Sequence, residues 1–217
     1  MLNTNRLQQR LPNRYELPDS LDIPVDNELQ DLVPHLLLDV LTKHWSTRAD
    51  WFFGVDMGIY HTTGHNPRVP LIPDAFLSLG VERRPYHDGR PSYILWEENY
   101  IVPKLALECV SHTYGQEYDD QMKKYARLGV LYYVVYNPTH YNRDRHQPLE
   151  VYRFDGRKYR RRVKEPVWMP EIGLGIGRDF GTFQGWQREW LYWYDRQGTR
   201  LLTADERTHQ ALQLQWL

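Results

Sequence analysis

The sequence predicts an α/β fold in which helices flank a mixed β-sheet, and three observations carry this prediction. An amphipathic segment near the amino end has helical spacing, several short segments of strand composition follow it, and a second helical segment runs directly into a continuous apolar strand. A helix that connects two strands is typical of an α/β crossover. With 217 residues, 41% of them hydrophobic and 25% charged, the chain can build one hydrophobic core and does not have the composition of a disordered protein.

The first helix follows an irregular amino-terminal arm. Residues 1–25 are polar and contain three prolines, which argues against regular structure there. Asp26 is the predicted N-cap, and after it apolar residues recur at helical spacing, namely Leu29, Leu32, Val33, Leu36, Leu37, Val40 and Leu41. Because proline lacks a backbone N–H, we expect Pro34 to kink this helix or to begin a second one.

Three segments of strand composition come next, at 51–60, 69–81 and 101–110, separated by proline, glycine, asparagine and aspartate. Alternation within the third segment divides its side chains between two faces, with Lys104, Ala106 and Glu108 on one and Leu105, Leu107 and Cys109 on the other. A carboxylate inside an otherwise apolar strand is costly unless it is paired or bound to a metal ion. Glu108 is therefore a candidate functional residue.

The middle of the chain predicts a helix, a buried strand and a hairpin. A helix is predicted from Gln116 to Leu128 and ends at Gly129 in the C-cap position. The apolar run at 130–136 is typical of a central strand that is covered on both faces. Two further strands, at 149–154 and 158–163, flank the turn dipeptide Asp155-Gly156, which is a strong hairpin signal.

The carboxyl-terminal part is harder to interpret. The segment 166–200 is rich in tryptophan and glycine, and within it Trp186, Trp190, Trp193 and Tyr194 fall at i, i+4, i+7 and i+8. This spacing predicts a helix that packs against the sheet, or alternatively a dimer surface. A last helix is predicted at 204–217. We expect residues 26–200 to form a single domain, with 201–217 as a carboxyl-terminal helix.

The apolar segments, the cysteine content and the net charge of the chain limit the functions that the sequence allows. Nothing at the amino end has the apolar core of a signal peptide and no apolar run could span a bilayer, so the sequence predicts a soluble, cytoplasmic protein. The single cysteine, Cys109, cannot form an intramolecular disulfide. The net charge is −1, so contact with a nucleic acid requires a local basic patch. The basic run at 157–164 could bind phosphates or be a solvated edge strand, and the sequence leaves both interpretations open.

The chemistry that these residues favour is metal-assisted phosphodiester cleavage. It needs carboxylates that hold a divalent metal ion beside the phosphate and a group that orients the attacking water. Asp74, where a strand begins, and Glu108, near the end of another, are acids that a sheet could bring together. Zinc is disfavoured, because Gly64 and Pro67 prevent His61 and His65 from sharing a helix.

Three sequence blocks in this order resemble the Uma2 family: IPD at 72–74, LECVS at 107–111 and YARLGVLYYVVYNP at 125–138. The family is described as a restriction endonuclease domain, is common in cyanobacteria and is assigned to the PD-(D/E)XK nuclease superfamily. The similarity covers about residues 26–165. It implies a restriction-endonuclease-like mixed β-sheet core flanked by helices, here with an added carboxyl-terminal β-hairpin and helix. It also implies DNA as the substrate and Mg²⁺, with Mn²⁺ as a possible substitute, held by Asp74 and Glu108.

One position departs from the family pattern. A lysine usually stands four residues before the tyrosine that matches Tyr125, and here that residue is Gln121, with Lys124 as the nearest basic substitute. Family resemblance also suggests an additional acid from the first helix, for which Glu28 is the candidate, although a glutamate is equally expected there because of the helix dipole. Two hypotheses remain: a Mg²⁺-dependent DNA endonuclease that acts as a homodimer, or a silent nuclease-fold module that binds DNA or protein.

Overall fold

The computed structural model describes residues 11–13, 16, 28–111 and 117–214. The strands in this part of the chain are β1 (Trp51–Val55), β2 (Ile59–Tyr60), β3 (Ala75–Leu79), β4 (Tyr93–Ile94), β5 (Leu105–Cys109), β6 (Tyr132–Tyr136), β7 (Leu149–Phe154), β8 (Tyr159–Arg162), β9 (Val167–Met169), β10 (Leu174–Phe183) and β11 (Trp186–Tyr194). The helices are α1 (Glu28–His44), α2 (Met122–Leu128), α3 (Tyr141–Asp144) and α4 (Ala204–Leu214), and a π-helical turn (Glu117–Gln121) leads directly into α2.

A six-stranded mixed sheet forms the centre of the molecule, in the order β1-β3-β5-β6-β7-β8. Only β5 and β6 are parallel among its neighbouring strands, and α2 lies in the connection between them, as the sequence predicts. The other pairs are antiparallel. The predicted α/β architecture with a mixed sheet is thus confirmed, and so is the hairpin, in which Gly156 adopts a φ of 92°.

A second sheet has the order β11-β10-β9 and packs on one face of the first. That face is covered by α1 as well, and the indole of Trp193 donates a buried hydrogen bond of 3.0 Å to the carbonyl of Leu37. Leu105, Leu107 and Cys109 of β5 point into this core. On the other face, Ala106 of β5 belongs to a smaller core that α2 covers. The alternation predicted for β5 is therefore confirmed.

Two predictions in the helical parts are corrected. Trp186, Trp190 and Trp193 do not lie on a helix, because β11 runs through all of them and pairs with β10 along its whole length. Residues 190–194 are buried in succession, as expected for a strand that is covered on both faces, so their spacing carries no strand alternation. Pro34 does not begin a second helix, because α1 continues through it to His44.

Other predictions fall partly outside the described residues. This holds for the N-cap at Asp26, for the start of the helix at Gln116 and for the last three residues of the helix predicted at 204–217. Within the ranges that the structure covers, no helix is both long and apolar enough to cross a membrane.

Candidate active site

Glu108 is the buried carboxylate around which the site is built. It is the fourth residue of β5, and its side chain points to the face that α2 covers, where only 8% of it is exposed. The phenol of Tyr125, on the inner side of α2, donates a hydrogen bond of 2.7 Å to Glu108 Oε1. Gly129 ends α2 in the left-handed conformation at a φ of 91°, and the chain then turns into β6. The crossover from β5 to β6 thus holds a hydroxyl donor against the carboxylate.

Asp74 reaches the same place from the neighbouring strand. It immediately precedes β3, which runs antiparallel to β5 with Ala75 opposite Leu107. The register sets Asp74 beside Glu108 at this end of the sheet. Asp74 Oδ2 accepts a hydrogen bond from the backbone N–H of Cys109, the residue that follows Glu108. The two predicted carboxylates are therefore brought together, and the bond to Cys109 fixes the position of one of them.

Two further acids, which the sequence analysis did not single out, lie close to this pair. Asp56 follows β1, and its N–H donates to the backbone carbonyl of Asp74 at 3.1 Å. Its φ of 44° turns the chain away from the sheet at this point. Glu117 begins the π-helical turn and is buried, and its carbonyl accepts a hydrogen bond of 2.7 Å from the phenol of Tyr133.

Electrostatics connects these acids. Burial raises the pKa of Glu108 well above its usual value, and the negative charge of Asp74 raises it further, with smaller contributions from Glu117 and Asp56. The hydrogen bond from Tyr125 acts in the opposite direction and favours the ionised carboxylate. Burial also raises the pKa of the Cys109 thiol, and the charge of Asp74 adds to this effect. Cys109 is thus a protonated core residue and no nucleophile.

The first helix contributes an amide to this end of the sheet. Gln30 Nε2 donates a hydrogen bond of 3.2 Å to the carbonyl of Cys109. Glu28, the acid proposed from the sequence, is the exposed first residue of α1. Asp31 is electrostatically closer to the site, since its charge contributes, after burial, to the raised pKa of Asp56. The amino-terminal turn of α1 therefore faces the site, with Gln30 as its contact to β5.

Gln121 and Lys124 contact each other near the start of α2. Gln121 is the last residue of the π-helical turn and is half-buried, whereas Lys124 lies exposed on α2. Lys124 Nζ donates to Gln121 Oε1 at 3.3 Å. Lys123 points elsewhere and pairs with Asp120 at 2.9 Å. The structure thus places the Lys124 ammonium on the side-chain oxygen of Gln121.

The donor set fits a hard divalent cation with several water ligands. Asp74 and Glu108 offer carboxylate oxygens, the ligands that Mg²⁺ prefers, and their mutual repulsion in a buried setting is what a bound cation relieves. Across the described ranges, no three side chains of histidine, cysteine, aspartate or glutamate are close enough to hold an ion between them. Mg²⁺ is usually bound through one or two carboxylates and keeps several waters, so a pair is sufficient.

The basic run at 157–164 ends at the edge of the main sheet. Its strand, β8, is the outermost one and pairs only with β7. Arg160 binds Asp155 at 2.8 Å, and Arg161 lies 3.4 Å from the buried carboxylate of Glu150. The basic run therefore lies on an edge strand, as one of its two interpretations predicts. Within the described residues, Arg162 and Lys164 form no ion pair.

Comparison with known proteins gives a family match over most of the chain. The sequence profile of Uma2, described as "putative restriction endonuclease", matches residues 7–180. No curated protein matches the chain. Among solved structures, a protein from Anabaena variabilis titled "putative nuclease belonging to DUF820" is similar, with a TM-score of 0.46 and 12% sequence identity. The similarity covers 68% of this chain and 74% of that one.

Proposed function

Because this chain belongs to the Uma2 family, we propose that it is a Mg²⁺-dependent DNA endonuclease of the PD-(D/E)XK type. The main structural support for this proposal is the hydrogen bond from the Cys109 N–H, which fixes the Asp74 carboxylate beside Glu108. Two acids held together at strand ends, with a raised pKa on one of them, are typical of a catalytic or metal-binding centre.

Asp74 and Glu108 would hold the metal ion in this proposal. A divalent ion there supplies positive charge for the scissile phosphate and lowers the pKa of bound water. Tyr125 favours the ionised form of Glu108, against the larger effect of burial, and fixes its Oε1, since its hydroxyl donates to that atom. Gln30 holds the end of β5 through the Cys109 carbonyl. These contacts preorganise the carboxylates before any ligand binds.

Gln121 can take only part of the role that a lysine has in the family. A carboxamide neither gains nor loses a proton near neutral pH, so Gln121 can orient a water molecule by hydrogen bonding but cannot deprotonate it. The ammonium of Lys124 adds positive charge behind the amide through its 3.3 Å contact. We infer that Gln121 and Lys124 act as a pair, and Glu28 is a peripheral acid that we place last among the proposed site residues.

Cleavage of both strands of a duplex commonly uses two active sites, and a C₂ homodimer would supply them. We therefore extend the proposal to a homodimer that acts on double-stranded DNA in the cytoplasm.

The contact between Lys124 and Gln121 also favours a second candidate function. Lys124 reaches Gln121 and is otherwise exposed, so the centre has less positive charge than the family pattern provides. This favours, as the alternative, a nuclease-fold module that binds DNA or protein without cleaving it. The two candidates differ in one result, which is metal-dependent cleavage.

Cleavage of supercoiled plasmid tests the proposal. Asp74→Asn and Glu108→Gln each remove one charge while keeping an oxygen that can accept the bonds from Cys109 and Tyr125. We expect Mg²⁺-dependent nicking by the wild type and a loss of at least ~10³-fold in each variant, which corresponds to about 4 kcal/mol of the barrier.

Glu150→Gln is the matched control for Glu108→Gln. Glu150 is also buried, and it lies in the same row of the sheet, since Val135 is opposite both carboxylates. Its partners are Tyr152, His146, Arg161 and the backbone N–H of Gln147, and Asp74 is not among them. Cleavage should survive in this variant once circular dichroism shows that it is folded. Wild-type cleavage by Asp74→Asn would overturn the assignment of the site.

A further inference from the structure

We propose that a basic cleft beside the edge of the main sheet binds the sugar–phosphate backbone of DNA outside the scissile site. The cleft has a volume of about 630 Å³ and lies between the end of β8, the start of β9 and the turn that follows β11. Its basic lining residues are Arg161, Arg162, Lys164 and Arg196. The inference rests on the proposed function for the identity of the nucleic acid, but its evidence comes from different residues.

Three of these cations are available for a ligand. Within the part of the chain that the structure describes, Arg162, Lys164 and Arg196 form no ion pair and are exposed. Arg161 is different, since its guanidinium lies 3.4 Å from the buried carboxylate of Glu150. The cleft therefore concentrates positive charge in a protein whose net charge is −1.

The acids near the cleft do not neutralise it. Asp195 is the one acidic residue that lines it, and its Oδ1 accepts hydrogen bonds from the N–H groups of Gln197 and Thr199 within its own turn. Glu165 lies between Lys164 and the cleft residue Pro166, but its carboxylate binds Arg178 at 3.0 Å. Asp195 therefore offsets one positive charge, and the three exposed cations keep the lining of the cleft positive.

The shape of the cleft suits an extended chain with rings or sugars. Trp168, which is half-buried, contributes aromatic surface to the wall beside the buried Tyr194, and aromatic faces pack against bases and sugars. Gly175 lets β10 pack closely against Tyr194 in this wall, because a Cβ there would stand 3.2 Å from the Cβ of Tyr194. Cations interleaved with aromatic surface are the usual composition of a groove for a nucleic-acid strand.

The sheet register relates the cleft to the candidate active site. β8 runs in the same direction as β5, because β7 is antiparallel to both β6 and β8. The carboxyl end of β8, where the cleft begins, is therefore at the same end of the sheet as Glu108. Three strand spacings separate them, roughly 14 Å at about 4.8 Å each. Arg162 is opposite Val151, whose side chain belongs to the core beneath α1, so the cleft opens on the other face of the sheet from Glu108. A DNA segment that contacts both sites would have to pass over this end of the sheet.

The cleft extends beyond the family match. The profile ends at residue 180, whereas Tyr194, Asp195 and Arg196 come from the segment after it. β11 and its following turn close the cleft against the basic run. The structure thus assigns to the tryptophan-rich segment a role in substrate binding as well as in core packing.

Salt-dependent DNA binding by the 217-residue protein tests the proposal. Ca²⁺ replaces Mg²⁺, so that a fluorescent duplex is bound without being cut. Arg162→Gln/Lys164→Gln should lower the slope of log affinity against log salt concentration by about two, which at ~0.1 M salt is roughly tenfold in affinity per lost contact. Arg196→Gln should lower the slope by about one, although it lies on a different loop.

Arg157→Gln/Lys158→Gln is the matched control. It removes two charges from the same basic run, but at the turn between β7 and β8, outside the cleft and at the opposite end of the strand. An equal loss of affinity in this variant would mean that general charge is responsible and would overturn the cleft. Equal displacement of the duplex by inorganic phosphate and by unlabelled DNA, at matched ionic strength, would identify a site for free anions and would also overturn it.

The outcome is separable from that of the proposed function. Weak binding by the cleft variants together with unchanged cleavage by Asp74→Asn would keep the cleft and reject the nuclease site. Normal binding by the cleft variants, with cleavage lost in Asp74→Asn, would reject the cleft and keep the nuclease. A wild type that does not bind DNA would reject both.

Discussion

The two faces of β5 have different surroundings, although they belong to five consecutive residues. On one face Leu105, Leu107 and Cys109 pack into the large core beneath α1 and the second sheet. On the other, Glu108 meets Tyr125 and Asp74 beneath α2. Because side chains alternate along the strand, neighbouring residues of β5 contribute either to the core or to the candidate site. We expect substitutions on the first face to change the free energy of unfolding and substitutions on the second to change metal binding.

Leu107→Ala is expected to give the largest change in stability. The side chain is fully buried between strands, so its truncation leaves a cavity and should cost about 2–5 kcal/mol of the free energy of unfolding. Metal affinity should stay at the wild-type value, because the side chain points away from Asp74. Urea unfolding and a metal titration check the two halves of this prediction, and a loss of less than ~1 kcal/mol would contradict the separation of the faces.

Tyr125→Phe should leave the fold in place and weaken metal binding. Its hydroxyl donates to Glu108 Oε1, and without that bond the pKa of Glu108 rises further and less of the carboxylate is ionised. We expect a loss of about 10–100-fold in affinity for Mg²⁺ or Mn²⁺. Tyr133→Phe is the control, because this neighbouring phenol donates to the carbonyl of Glu117 and not to Glu108. Equal losses in both variants would contradict the assignment.

The raised pKa of Glu108 predicts how stability depends on pH. A carboxyl whose folded pKa is raised stabilises the protein fully below its unfolded pKa, near 4.5, and this contribution is lost as the pH rises through the folded pKa. Metal-free wild type should therefore become less stable relative to Glu108→Gln as the pH rises above about 4.5. Thermal unfolding of both proteins across the pH range measures the difference, and Mg²⁺ should reduce it. Parallel pH profiles would contradict the prediction.

Lys124→Ala is the smallest expected effect. The side chain is exposed, so stability should change by no more than about 0.5 kcal/mol. Cleavage should fall roughly two- to fivefold, the value of one exposed hydrogen bond, because Gln121 loses the donor on its Oε1. Lys123→Ala removes the same charge from the adjacent residue, which pairs with Asp120, and should leave cleavage unchanged. A larger loss with Lys123→Ala would mean that Gln121 does not connect Lys124 to the site.

Local signals made the main sheet predictable. The alternation in β5 indicated which residues share a face, Gly129 marked the end of α2, and Asp155-Gly156 marked the hairpin. Each of these signals lies within a few residues of the feature that it predicts. The second sheet was missed because both faces of β11 are covered at residues 190–194, which removes the alternation. Its hairpin turn uses Gln184 and Gly185, both at positive φ, and glutamine is a weaker turn signal than asparagine or aspartate.

The candidate site was predictable only in part. Asp74 and Glu108 were proposed from the sequence, and the structure sets them side by side. Asp56 and Glu117 were not proposed, because their proximity depends on the left-handed turn after β1 and on a π-helical turn, which helical spacing does not reveal. Gln30 could have been predicted from the sequence, because it lies one turn before Val33 and Pro34 on the buried side of α1, next to the apolar stripe.

Calorimetric titration of Mg²⁺ or Mn²⁺ into the wild type and into Asp74→Asn, with plasmid cleavage run on the same samples, measures whether Asp74 holds a metal ion that cleavage requires. We expect the wild type to bind the metal ion and nick DNA, and the variant, folded by circular dichroism, to do neither. Identical binding isotherms for the two proteins, or cleavage by the variant at the wild-type rate, would contradict this expectation.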